Sequence, residues 1–184
     1  MKKTVLTFGL ISGVIISVLM AATTVFAERI GFDRAVIVGY TTMLIAFLLV
    51  FFGIKSYRDN VGGGAISFGR ALTVGILIML ITCVFYVVIW EIIYFNFLPD
   101  FPEKYSNYIL EKSRAAGATP DQIAKKVEEL KQMKAMLDNP WLSAVIIFIS
   151  EPLPVGLVMT LISAAILRKR RKDPEVVVTT ANAQ

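Results

Sequence analysis

The stretch ALTVGILIMLITCVFYVVIWEIIYFNF, Ala71–Phe97, contains a single charged residue, Glu91. A helix of this length, rising about 1.5 Å per residue, crosses a hydrocarbon core of about 30 Å. Three further apolar runs, at 4–27, 35–54 and 141–167, are long enough to do the same. The sequence therefore predicts an all-α polytopic membrane protein with four transmembrane helices, and 56% of its 184 residues are hydrophobic.

The distribution of positive charge predicts the orientation of the four helices. Basic residues flank the same ends of all the runs: Lys2, Lys3, Lys55, Arg58, Arg70, Arg168, Lys169, Arg170, Arg171 and Lys172. Because positive charge near short loops marks the cytoplasmic side, both termini and the 55–70 loop are predicted to be cytoplasmic. The membrane domain spans 1–172, and the polar tail 173–184 is predicted to be disordered.

The same basic residues are candidates for contact with anionic lipid head groups, namely Lys55, Arg58, Arg70, Arg168, Lys169, Arg170, Arg171 and Lys172. The loop between the second and third helices also contains Gly62, Gly63 and Gly64. One interpretation is a cradle for phosphate or a lipid head group, and the simpler one is a flexible connector. A basic run beside a membrane helix is an ordinary topology signal, so no nucleic-acid partner is expected.

The first run has features of both a signal peptide and a retained helix. Lys2 and Lys3 precede it, and Val25-Phe26-Ala27 fits a cleavage site. Against cleavage, the run is long and carries small residues at four-residue spacing, Gly9, Gly13, Ser17 and Ala21. A second such series, Gly156, Thr160 and Ala164, lies in the fourth run. Small residues allow close helix packing in lipid, so both series are predicted packing faces, and retention is favoured.

Residues 100–139 are predicted to form an external helical hairpin between the third and fourth transmembrane helices. Gly117 is a suitable residue to end the first hairpin helix, and Thr119 to Gln122 form a capping box that opens the second. The second helix has an apolar stripe, Ile123, Val127, Leu130, Met133 and Leu137. This stripe either packs on the preceding helix, around Tyr105, Tyr108, Ile109 and Lys112, or docks onto a partner or the outer membrane surface.

The fourth run contains the candidate intramembrane polar site, Glu151 with Pro152 and Pro154. A carboxyl group near the middle of a bilayer is costly and is a functional candidate, and the prolines predict a kink. Glu151 is interpreted in three ways. It is a proton or cation site on a transport path, a structural anchor bonded to a hydroxyl of another helix, or a shallower group near the outer interface. The anchor is favoured.

No catalytic, cofactor-binding or metal-binding residues are identified, and the chain is not expected to be an enzyme. It has no histidine, which excludes Ser–His and Cys–His dyads within the chain, and Cys83 is its one cysteine. The expected function is that of a non-enzymatic interaction or structural module, whose partner is a second copy or another membrane protein. The alternative is a small transporter or channel component that uses Glu151 at the proline kink.

Several local sequences together resemble a family of small bacterial four-helix inner-membrane proteins catalogued only as a domain of unknown function. They are Gly9-Leu-Ile-Ser-Gly13, Phe52-Gly-Ile-Lys-Ser-Tyr-Arg-Asp59, Ile66-Ser-Phe-Gly-Arg-Ala71, Pro99-Asp-Phe101, Glu151-Pro-Leu-Pro-Val-Gly156 and Leu161-Ile-Ser-Ala-Ala-Ile-Leu-Arg-Lys169. The resemblance implies a retained first helix and a location in the bacterial cytoplasmic membrane. It implies no activity, cofactor or catalytic residue.

Overall fold

The computed structural model describes residues 1–169, which form seven helices. Arg170, Arg171, Lys172 and the tail 173–184 lie outside the described residues. The helices are α1 (Lys2–Ile30), α2 (Phe32–Asn60), α3 (Phe68–Phe97), α4 (Phe101–Ala115), α5 (Pro120–Leu137), α6 (Pro140–Ser150) and α7 (Pro152–Leu167).

The described residues are helical, and four segments are long and apolar enough to cross a membrane, as the sequence predicted. They are Lys2–Ala27, Phe32–Asn60, Phe68–Phe97 and Pro140–Leu167. The first three are single helices, and the fourth consists of α6 and α7 in succession.

The connection between α1 and α2 is shorter than the sequence predicted. The expected loop at 28–34 is reduced to one residue, Gly31, because both helices continue past their apolar runs. Gly31 has φ +84° and ψ 143°, a conformation that only glycine adopts without strain. The polar residues at this end, including Arg29 and Asp33, are therefore helical.

Helix α3 is the central element of the bundle, and it packs against α1, α2, α6 and α7. The fully buried side chains come mainly from α2 and α3, with Phe47, Val50 and Ile54 facing Val74, Ile78 and Met79. Lipid tails are as apolar as these side chains, so close packing rather than exclusion of water holds the helices together.

Helices α4 and α5 form the pair predicted between the third and fourth spans. Gly117 has φ +82° after the end of α4, and the capping box of Thr119 and Gln122 opens α5 with both of its hydrogen bonds. The two helices are antiparallel, since Pro102 of α4 lies beside Leu130 and Lys134 near the end of α5.

The α5 stripe meets only part of the face of α4 that was predicted, because Tyr105 lies beside it and Tyr108 and Lys112 do not. Leu130 is buried against Pro102, Tyr105, Ser106 and Leu110. Two of the predicted contacts turn away from α5. Tyr108 packs on Phe32 at the start of α2, with 5.1 Å between ring centroids. Lys112 Nζ lies 2.5 Å from Asp33 Oδ1. An amphipathic pattern on α5 identifies its buried face, but it does not identify which face of α4 meets it.

Candidate functional site

The fourth span is broken at Glu151, as the two prolines predicted. Helix α6 ends at Ser150 and α7 begins at Pro152, with Glu151 between them at φ −120° and ψ −76°. Pro152 and Pro154 have no backbone N–H, so the carbonyls four residues before them, at Phe148 and Ser150, lose their helical donor. Pro152 is buried in the bundle and Pro154 is exposed.

The Glu151 side chain is bound by a hydroxyl from α3. Tyr86 OH donates a hydrogen bond to Glu151 Oε2. Tyr86 is 9% exposed and Glu151 is partly buried. A hydroxyl bonded to a carboxyl group satisfies the most costly atoms in the apolar span. The bond also holds the broken segment to α3, the central helix of the bundle.

A second carboxyl group lies in the same interface, and the sequence did not predict this. Ser143 Oγ of α6 donates a 2.7 Å hydrogen bond to Glu91 Oε1 of α3. Ser143 is fully buried, and Glu91 Oε2 is buried with no hydrogen-bond partner among the described residues.

A third pair completes this series at the end of α3. Tyr94 OH lies 3.5 Å from Asp138 Oδ1, a long contact, and Asp138 Oδ2 lies 2.5 Å from Lys134 Nζ of α5. We call the three pairs together the polar row: Tyr86–Glu151, Glu91–Ser143 and Tyr94–Asp138. The polar row runs along the α3–α6 interface from the helix break to the α4–α5 pair.

The two series of small residues both pack on α3 and do not face each other. A Cβ atom added at Gly9 would lie 2.8 Å from Ile81 Cδ1, and one at Gly13 would lie 2.6 Å from Phe85. Ser17 Oγ donates to the Gly13 carbonyl within α1, and Ala21 is partly buried. Helix α1 therefore approaches one side of α3 closely.

In α7 the small residues face α3 and α2. A Cβ atom at Gly156 would lie 2.5 Å from Met79 Cγ and 2.9 Å from Phe47 Cζ. Thr160 and Ala164 are fully buried. The glycines on the opposing helices, Gly53 and Gly75, also make close contacts and were not singled out from the sequence, although Gly75 follows Ser67 and Ala71 at four-residue spacing.

The basic residues gather at the other end of the bundle. The backbones of Ile66 and Lys169 form an antiparallel bridge, with N–H to carbonyl distances of 3.0 and 2.9 Å. This bridge places the end of α7 beside the 61–67 loop. The side chains of Lys55, Arg70, Arg168 and Lys169 are exposed, while Arg58 is partly buried and binds Asp59.

The glycine-rich loop is not free to act as a phosphate cradle. The N–H groups of Gly62 and Gly64 donate to the carbonyls of Tyr57 and Arg58, and that of Ile66 donates to Lys169. A cradle requires several N–H groups that point outward, and these point into the chain. Ser67 caps α3 by accepting from the N–H of Arg70.

In the described part of the chain, no three Cys, Asp or Glu side chains are grouped closely enough to hold a metal ion. No curated protein and no solved structure matches the sequence. A model of the family described as "Protein of unknown function (DUF4199)" matches residues 7–169. That span covers nearly all of the chain and confirms the resemblance drawn from the local sequences. The chain therefore belongs to the DUF4199 family.

Proposed function

We propose that this chain is a non-enzymatic interaction or structural module of the bacterial cytoplasmic membrane. Both termini are cytoplasmic, and the α4–α5 pair lies on the outer side. The orientation is supported by the basic residues at one end of the bundle, Lys2, Lys3, Lys55, Arg58, Arg70, Arg168 and Lys169. The exposed members of this set contact anionic head groups of the inner leaflet.

The observation that carries the proposal is that α4 is held to the bundle by aromatic contacts, while α5, which packs on α4, keeps an exposed apolar surface. Phe32 of α2 contacts the rings of Phe101, Tyr105 and Tyr108, with centroid distances of 5.1 to 6.0 Å. Trp90 of α3 also meets Phe101. Aromatic contacts of this kind add stabilisation beyond their buried area. Helix α4 is therefore fixed on the bundle, and it supports α5.

Helix α5 leaves part of its apolar surface uncovered. Leu130 is buried, but Met133 and Met136 are 40% and 46% exposed. Methionine is flexible and polarisable, and it is favoured at surfaces that bind other proteins. We assign Met133 and Met136 as the contact surface for a second copy or another membrane protein. Within the bundle, Glu151 acts as a structural anchor through Tyr86.

In-cell photocrosslinking tests the contact surface. A photoreactive amino acid is placed at Met133, at Met136, and at Leu130 as the buried control. The proposal expects adducts to a second copy or to one reproducible membrane protein from Met133 and Met136 only. Introducing Lys at the neighbouring methionine is expected to abolish those adducts. If all three positions give only crosslinks within the chain, the surface is covered internally and the proposal fails.

A second candidate, a small transporter or channel component, is favoured by one observation. Glu91 Oε2 is buried with no hydrogen-bond partner within residues 1–169, in the same interface as Glu151, and carboxyl groups inside a membrane bundle are found on ion pathways. Proton and cation flux into proteoliposomes tests it, with Glu151→Gln and Glu91→Gln as variants and Asp121→Asn as the exposed control. Flux that both Gln variants abolish supports transport, and no flux in the unaltered protein excludes it for the ions tested.

A further inference from the structure

Helix α6 is a short rigid segment between two interruptions of the chain. At its start, Asn139 Oδ1 accepts hydrogen bonds from the N–H groups of Trp141 and Leu142, at 3.1 and 3.2 Å. Its other end is the break at Glu151. Only Asp138 and Asn139 separate it from α5. A displacement of the end of α5 is therefore passed directly to α6.

Helix α6 is held to the bundle much less extensively than α7. In α6 only Ser143 and Ile147 are buried, while Trp141, Val145 and Ile149 are 86%, 54% and 55% exposed. Helix α7 buries six residues against α2 and α3: Pro152, Gly156, Thr160, Ser163, Ala164 and Leu167. The exposed face of α6 meets fluid lipid, which does not fix its position. Helix α7 is thus the stationary half of the fourth span.

The polar row supplies the side-chain hydrogen bonds between the segment that begins at Asp138 and α3. The bond at the centre of the row, Ser143 to Glu91, has an ordinary length of 2.7 Å, and the contact at the α5 end, Tyr94 to Asp138, is long at 3.5 Å. Asp138 is also shared with Lys134 of α5. Each hydrogen bond between membrane helices contributes little by itself. A small displacement of one end of α6 is therefore sufficient to alter the hydrogen bonds at its other end.

We infer that α6 is a lever that couples the α4–α5 pair to the helix break in the membrane. Helix α6 pivots at Glu151, while α7 keeps its position in the bundle. Movement of α5 is transmitted through Asp138 to α6. The resulting movement of α6 strains or releases the hydrogen bond between Tyr86 and Glu151. The inference rests on the contacts of α6 and not on the identity of any partner, so it stands or falls separately from the proposed function.

Distances across the break, measured by spin-label spectroscopy on the full chain in liposomes, test transmission from outside to inside. Labels are placed at Val145→Cys and Val158→Cys, which are both 54% exposed, in a Cys83→Ala background. Asp138→Ala removes the contact at the α5 end. We expect a shifted and broader α6–α7 distance distribution. Lys126→Ala is the matched control, because it removes the ion pair with Glu129 on the same helix without touching α6.

Coupling between two sites is reciprocal, so the reverse experiment must also succeed. Labels at Ile37→Cys of α2 and Gln132→Cys of α5 report the position of the outer pair. Tyr86→Phe removes the hydroxyl and is expected to shift the distance between these two labels. Glu151→Gln keeps an acceptor for Tyr86, so the distance is expected to stay close to the value in the parent protein. Ser163→Ala in α7 is the control. The inference is overturned if only one of the two label distances changes in its experiment, or if neither does.

Discussion

Gly75 of α3 lies directly against Thr160 of α7, so that a Cβ atom on Gly75 would be 2.6 Å from Thr160 Cγ2. The same atom would also lie 2.9 Å from Ile54 Cδ1 of α2. Three helices therefore meet at a position where no side chain fits. Close approach of backbones is the main source of helix association in lipid, which makes this glycine a sensitive point of the bundle.

Gly75→Ala is expected to destabilise the bundle by about 1–3 kcal/mol, the usual cost of overpacking a well-packed core. Gly69→Ala in the same helix is the control, because no atom lies within 4 Å of its added Cβ. Unfolding in mixed micelles, followed by circular dichroism, measures the difference. Equal stability of the two variants would mean that the three helices are not in this contact.

Ser12→Ala tests a hydrogen bond between α1 and α2. Ser12 is fully buried and its Oγ donates to the carbonyl of Ala46 at 2.8 Å. Hydrogen bonds between membrane helices are worth between about 0.5 and about 2 kcal/mol, and we expect a loss in that range by the same unfolding assay. Ser17→Ala serves for comparison, since Ser17 bonds only within α1. A larger loss at Ser17 would contradict the assignment.

Gly31→Ala is expected to weaken the reversal between α1 and α2. The space around Gly31 is open, but its φ of +84° disfavours any side chain, at a cost of about 1–3 kcal/mol. Gly39→Ala has the opposite expectation, because Gly39 is an open helical position where alanine gains roughly 0.5–1 kcal/mol. Opposite signs of the two effects would confirm the geometry, and a stabilising Gly31→Ala would refute it.

The ion pair between Lys112 of α4 and Asp33 of α2 is expected to weaken at strongly alkaline pH. The pKa of Lys112 is raised by its bonds to Asp33 and Tyr108. When folding raises the pKa of a lysine, the charged lysine stabilises the fold. This stabilisation is complete at pH values below the ordinary lysine pKa, and it is lost as the pH rises through the raised pKa of the folded protein. Both side chains are exposed, so the effect is small. The effect is measured by comparing hydrogen exchange of the α4 amides in the parent protein and in Lys112→Met. A difference in protection between the two proteins that increased toward acid pH would contradict the prediction.

The length and apolarity of the runs were sufficient to predict the four spans, because backbone hydrogen bonds in lipid must be satisfied within a helix. The caps at Ser67, Thr119 and Gly117 were also predictable, because these motifs depend on residues close together in the chain. The single-residue connection at Gly31 was not predicted. Polar residues at helix ends look the same in sequence whether they are helical or in a loop.

The candidate site was only half predictable. Glu151 stands out because a carboxyl group beside two prolines is rare in an apolar run. Its partner Tyr86 and the second pair, Glu91 with Ser143, depend on the register between α3 and α6. Apolar periodicity does not fix that register, since most faces of a membrane helix are apolar. The pairing of Glu91 with Ser143 was missed for this reason.

The polar row also has a consequence for how the protein is made. Tyr86, Glu91 and Tyr94 enter the membrane with α3, but their partners belong to residues that are synthesised much later. Helices α6 and α7 are each shorter than the bilayer, at 11 and 16 residues, so they insert as one piece. Until that insertion occurs, the nascent chain exposes an unsatisfied hydroxyl and carboxyl stripe to lipid. The fourth of the four spans is therefore the one that completes the bundle.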